Sequence, residues 1–266
     1  MSRAGWLLFL SVAITTASLA SAPPSDAVKK LLEKVVQRYQ KAKTLILSGV
    51  MVNTSKSPQR ETSVTTRFTL YAQRPNRLRL VTETTLPEGI KQRQVIVSDG
   101  KFLFTEFPQL KQVLRQPLTP EGKIPRQIPF GGIFEVEDWL KRVKEAQIAG
   151  EEKLRGRTMK IVKVATDEGA SARLWIADNT LWQVQAVIEG KRLSALMGSD
   201  PKKPNPLAEA MKQTTLITTM KFDRVQFNAP IPANLFSYKP PEGFKVVEKL
   251  ELPSSPTMPP SPSPKP

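Results

Sequence analysis

Among the acidic side chains that lie close together in this sequence are Glu135, Glu137 and Asp138, and the pair Glu151 and Glu152. Two carboxylates sharing one face could divide acid and base roles in a hydrolysis. Glu151 and Glu152 fall in a strand pattern, however, where neighbouring residues point to opposite faces. Glu135 and Asp138 would share a helix face, but they sit in a first turn, where the helix dipole and solvent account for them. The 266 residues include no histidine and no cysteine. That removes triad chemistry, thiol catalysis, disulfides, zinc thiolate sites and the commonest metal ligand. No phosphate-binding glycine loop or nucleophile elbow is present, and no motif asks for a cofactor or metal. The inventory argues against an enzyme.

Apolar side chains at strand spacing are the more informative feature. From Thr62 to Phe104, Val64, Phe68 and Leu70 keep even positions apolar, with Thr66 breaking the row, and Leu78 and Leu80 continue it after Arg74-Pro75-Asn76-Arg77. Alternation with period two predicts strands with one wet face and one apolar face. Pro75-Asn76 has turn chemistry. Val95 and Val97 lead into Asp99-Gly100, a favoured hairpin signal, with Phe102 and Phe104 beyond it. The stretch reads as an antiparallel meander.

A sheet that curls over a helix has a concave face, and an unfilled apolar one is a ligand site. Phe68, Leu70, Leu78, Leu80, Phe102, Phe104, Trp182 and Met220 are the candidate lining. Methionine and aromatic side chains adapt to irregular acyl shapes. An acyl chain gains roughly 0.8 kcal/mol per buried methylene, so about ten give ~8 kcal/mol before association costs. At the mouth, the Arg74 guanidinium could hydrogen-bond loop carbonyls or a lipid ester or phosphate.

The remaining elements frame that sheet. Val28, Leu31, Leu32, Val35, Val36 and Tyr39 form an apolar helix face within Ser25 to Lys43, with Ser25 placed to cap it. Leu45 to Val52 reads as the first strand, with Gly49 a bulge or weak point. Pro108 kinks the chain before a strand about Lys111 to Arg115. Gln116 to Gly132 holds Pro117, Pro120, Pro125 and Pro129, a loop of the length that lids have. A second amphipathic helix follows, with Val136, Trp139, Leu140 and Val143 on one face, and Trp139 and Leu140 as lid candidates. Strands resume at Gln147–Leu154, Arg157–Ala165, Ala172–Ile176 and from Trp182 to Ile188. Residues 193–213 interrupt them with short helical turns. Thr214 to Phe227 is a long strand with a phase slip near Asp223-Arg224.

The formal charge is +16 and the pI about 10.1, which suits anionic partners. Arg3, the apolar run Trp6 to Ile14 and the small residues Ala17 to Ala22 read as a secretory signal peptide over residues 1–22, cleaved after Ala20 or Ala22. Residues 23–250 then form a single domain, and 251–266 a tail of proline and serine. Export argues against nucleic acid. It leaves an anionic membrane surface as a partner for basic clusters such as Arg155, Arg157 and Lys160, or Lys202 and Lys203.

Arg74-Pro75-Asn76, the later Val97-Ser98-Asp99-Gly100-Lys101, and the closing Phe227-Asn228-Ala229-Pro230-Ile231-Pro232-Ala233-Asn234-Leu235-Phe236 with Tyr238-Lys239-Pro240-Pro241-Glu242-Gly243 resemble the LolA-like superfamily. That superfamily includes periplasmic lipoprotein carriers and RseB-type regulators. The resemblance spans roughly residues 28 to 247. It implies an α+β fold: a strongly curved antiparallel sheet, an unclosed barrel with helices across its mouth. It further implies a monomeric, non-catalytic periplasmic carrier for lipoprotein acyl chains or other lipids, loaded by an inner-membrane exporter and unloaded to an outer-membrane receptor. It assigns Arg74 to ligand handling and to holding the lid shut. An RseB-like sensor of lipoproteins or peptides is the alternative. Residues 193–213 and the tail depart from the compact pattern of the superfamily.

Overall fold

The computed structural model describes residues 24–86, 89–119, 121–125, 130, 141–166, 171–196 and 206–251. Helix α1 (Asp26–Lys41) buries Val28, Leu32, Val35, Val36 and Tyr39, the stripe expected from the sequence. Ser25 holds the N-cap position, but its hydroxyl makes no capping hydrogen bond.

Strands β1 (Thr44–Lys56), β2 (Glu61–Gln73), β3 (Arg77–Thr85), β4 (Lys91–Asp99), β5 (Phe102–Phe107) and β6 (Gln112–Pro117) follow as a meander. β7 (Val143–Leu154), β8 (Arg157–Thr166), β9 (Ser171–Ala177) and β10 (Thr180–Ile188) form a second. Short helices α2 (Gly190–Leu196) and α3 (Pro206–Met211) precede β11 (Thr215–Phe227), and β12 (Lys245–Val247) closes the chain. Among the described residues these make one twelve-stranded sheet in the order β12-β6-β5-β4-β3-β2-β1-β11-β10-β9-β8-β7. Every pairing is antiparallel except β12 with β6. The two end strands do not meet, so the barrel is unclosed.

The sheet curls around α1. One buried cluster joins α1 to Leu47, Leu70 and Leu80 from the first meander and to Val162, Leu174 and Ile176 from the second. Strands at opposite ends of the order can share one core only if the sheet bends strongly. The α+β architecture expected from the sequence is the one observed.

Three local readings are corrected. Val143, assigned to a helix face, opens β7 and pairs with Thr166, because the long β8 offers a partner four residues ahead of the expected strand start. The strand expected at Lys111 begins at Gln112, since Lys111 takes the left-handed conformation that ends the Pro108–Leu110 turn. Asp99 is the last residue of β4 rather than part of the loop; its carboxylate accepts from the N–H groups of Lys101 and Phe102 at 2.7 and 2.8 Å. The phase slip near Asp223 is real. Ser48 pairs with Arg224 and Gly49 with Phe222, which leaves Asp223 as the extra residue.

Candidate functional site

Register decides which candidates share a face. Leu70 pairs with Leu80 and Ala72 with Leu78, and Leu80 pairs with Ile96. Even positions of β2, β3 and β4 therefore share one face, and Phe68, Leu70, Ala72, Leu78, Leu80 and Ile96 on it form one cluster with the buried residues of α1. Phe68, Leu70, Leu78 and Leu80 are buried there at 4% exposure or less. Gly49 pairs with both Phe68 and Phe222, and Met51 with Met220. Met220 thus joins the same inner face, half-buried against the cluster.

Phe102, Phe104 and Trp182 do not. Ile96 pairs with Thr105 and Ser98 with Leu103, so parity reverses across the β4–β5 hairpin and the inward residues become odd-numbered. Phe102 and Phe104 lie on the outer face. There Arg115 sits 3.7 Å over the Phe102 ring, and Tyr238 stacks on Phe104 with ring centroids 4.9 Å apart. The register of β10 shifts between Leu181 and Gln183, and Trp182 turns outward at the shift. It packs with Met159 and Trp175 in a separate cluster, beneath the Arg157 guanidinium at 4.2 Å. Glu152 lies on this outer face too, accepting from Trp175 Nε1 at 2.7 Å. It is a structural acceptor, not half of a carboxylate pair.

Arg74 is directed at α1. Its Nε donates to the carbonyl of Ala42 and one terminal nitrogen to that of Gln40, both at 2.9 Å. A cation on the last carbonyls of a helix satisfies acceptors that the helix cannot, and favours the dipole. Trp139 and Leu140, the other mouth candidates, lie outside the described residues.

The sequence marks Asn76 only as a turn residue. Its Nδ2 donates to the carbonyls of Gly100 at 3.1 Å and Gly122 at 2.9 Å, tying the proline-rich loop to the hairpin ends. The tied segment is itself a turn, with Thr119 and Lys123 closing it through backbone and hydroxyl bonds. Beyond the tie, Ile124 and Phe130 pack against the inner cluster. The Phe130 ring stands 5.1 Å from that of Phe68, and its backbone is left-handed at φ 61°. That conformation costs a bulky residue on the order of 1–3 kcal/mol. Spacing alone carries no signal for Phe130, because a loop has no period.

The inner face is thus covered in two ways. α1 seals the end bearing Leu45, Leu70 and Leu78, while Met51, Phe68, Val184 and Met220 continue the apolar surface toward Ile124 and Phe130. Cavities bounded by described residues open elsewhere: about 140 Å³ beside Trp182 and Met159, about 440 Å³ beside Ile148 and Trp175, and about 570 Å³ between Ile90 and Phe244. None of the three is lined by Leu70, Leu78 or Leu80.

No family model and no curated protein sequence matches the chain. Solved structures do. LprF from Mycobacterium bovis aligns over 80% of this chain and 98% of its own at 13% identity, TM-score 0.44. A LolA superfamily protein from Nitrosomonas europaea aligns over 79% and 97% at 12% identity, TM-score 0.33. The MucA/MucB complex from Pseudomonas aeruginosa aligns over 80% of this chain and 61% of that one at 10% identity, TM-score 0.39.

Proposed function

We propose that this protein is a non-catalytic envelope carrier that holds an acyl chain of a lipoprotein or other lipid on the inner face of its sheet. One observation carries the reading: Phe130, in a strained backbone conformation, lays its ring on Phe68. Phe130 belongs to no strand, so its ring can leave Phe68 without breaking a strand pairing. An acyl chain on Met51, Phe68, Val184 and Met220 would take over the contacts of Ile124 and Phe130. The exchange of one apolar surface for another keeps the inner face dry, and relaxing Phe130 adds to the driving force. Leu70, Leu78 and Leu80, fully packed beneath α1, form the floor and not the contact surface.

Export through the N-terminal segment puts the carrier between membranes, where an exporter and a receptor would load and unload it. The test is mass spectrometry of lipids that co-purify with the exported protein, together with titration of a fluorescent fatty acid. Bound acyl lipid, and tighter fatty-acid binding by the Phe130→Ala variant than by the parent, are expected. Lipid-free protein that ignores the fatty acid in both forms removes the proposal.

A further inference from the structure

β4 is paired unequally on its two sides. All nine of its residues, Lys91 to Asp99, pair with β3, whereas only Ile96, Val97 and Ser98 pair with β5. The same register would continue as Val95 opposite Glu106 and Gln94 opposite Phe107. Instead Glu106 and Phe107 turn away with β6, pairing with Val113 and Gln112. Gln94 spans the gap with its side chain, donating from Nε2 to the Glu106 carbonyl at 3.2 Å. Among the described residues no strand lies along the far edge of Lys91–Val95. In an antiparallel ladder alternate residues direct both N–H and C=O to one side, so this edge presents a short row of backbone donors and acceptors.

The gap has walls. A cavity of about 570 Å³ opens there, bounded by Leu86, Ile90, Arg93, Glu106, Pro108 and Phe244 among others. Ile90 is a large apolar side chain that is 56% exposed. The Glu106 carboxylate is committed, accepting from the Tyr238 hydroxyl at 3.1 Å. That bond leaves its charge in place, so among the described lining residues Lys91 and Arg93, both exposed, outweigh Glu106 by one positive charge, and Lys91 also lies 3.8 Å from Glu83. Lysine and arginine on an open edge repel a second basic strand, and this chain carries +16. The same charges admit an acidic one.

We propose that the split between β4 and β5 receives an extended acidic peptide of a partner protein, which adds as a strand along Lys91–Val95. Main-chain hydrogen bonds supply affinity. Alternate apolar side chains of the guest meet Ile90, Pro108 and Phe244, and its carboxylates meet Lys91 and Arg93. The site is separate from the inner face and does not depend on lipid carriage. The proline-rich segment 252–266 is a poor occupant, because proline has no N–H to add to a ladder.

The experiment uses the full chain and an end-blocked, fluorescein-labelled hexapeptide, Glu-Val-Thr-Val-Glu-Val, beside the same peptide N-methylated at alternate residues. Hydrogen exchange of the Lys91–Val95 amides is expected to slow at least tenfold with the first peptide and to stay unchanged with the second. Arg93→Gln, at an exposed position opposite Glu83, is expected to weaken binding at least threefold while the free protein keeps its melting temperature. The proposal is overturned if those amides are not slowed, or if the N-methylated peptide binds equally well. It is equally overturned if a peptide of residues 252–266, a second copy of the chain or an anionic vesicle protects the edge while the acidic peptide does not.

Discussion

Asn76 and Gly122, far apart in sequence, are joined by a hydrogen bond of 2.9 Å from the asparagine side-chain amide to the glycine carbonyl. The same nitrogen reaches Gly100, and the Asn76 carbonyl accepts from the Ser98 hydroxyl at 2.6 Å. One turn residue thereby gathers both neighbouring hairpin ends and the root of the loop that carries Phe130.

Asn76→Ala is expected to loosen that root. Each lost hydrogen bond is worth about 0.5–1.5 kcal/mol, so the fold survives with a reduced melting temperature. The loop should be cut faster by protease after Lys123, and a bound fatty-acid probe should leave at least threefold faster. Unchanged cleavage and release rates in the folded variant would show that the tie does not govern the loop.

At Gly49 the backbone of β11 comes too close for a side chain. A Cβ there would lie 2.1 Å from the carbonyl oxygen of Lys221, opposite the Asp223 bulge. Neither strand can give way, because each is paired on its other side. Gly49→Val is expected to cost ~2 kcal/mol or more in urea denaturation, as overpacking does. A variant as stable as the parent would mean that β1 and β11 can separate at the bulge.

The extent to which this architecture was legible follows from the same strands. Period two exposed the inward row of β2, and even the exception was informative: Thr66 faces inward, buried, with its hydroxyl 2.9 Å from that of Thr84. Periodicity fixes alternation within a strand but not phase across a hairpin. Alternation alone groups Phe102 with Leu80, whereas the pairing of Ser98 with Leu103 puts it on the other side. Alternation also misplaces Trp182, because a register shift changes phase inside one strand. Phe130 leaves no mark on the period of any strand, since its contact with Phe68 is a tertiary one.

Two of the three tyrosines should resist alkali. Burial pushes the Tyr39 hydroxyl well above its ordinary value of 10.0. Burial first, and then the neighbouring Glu106 charge, does the same for Tyr238. A raised pKa means that the fold favours the protonated phenol. The stabilisation is complete below pH 10 and is lost as pH rises above it. Ultraviolet titration of phenolate absorbance should show a late step that coincides with unfolding, and Tyr238→Phe should shrink it. Full ionisation near pH 10 with the fold intact would contradict the buried placement.

The division of the aromatic and methionine candidates between two faces gives the sharpest contrast. Met220 is half-buried on the inner face beside Met51 and Phe68, so a carboxylate there would meet an acyl chain directly. Phe102 lies outside, under Arg115, where a carboxylate would find a cation in place of the ring. Met220→Glu is therefore expected to weaken fatty-acid binding at least tenfold, since an unpaired charge on an apolar surface must be desolvated when the lipid arrives. Phe102→Glu should bind like the parent. Leu80→Glu is a poor probe, because a charge at a fully buried position would unfold the sheet before it could report on the ligand. Equal loss from the Met220 and Phe102 variants, both folded by circular dichroism, would mean that the lipid does not distinguish the two faces, and the inner-face assignment would have to be abandoned.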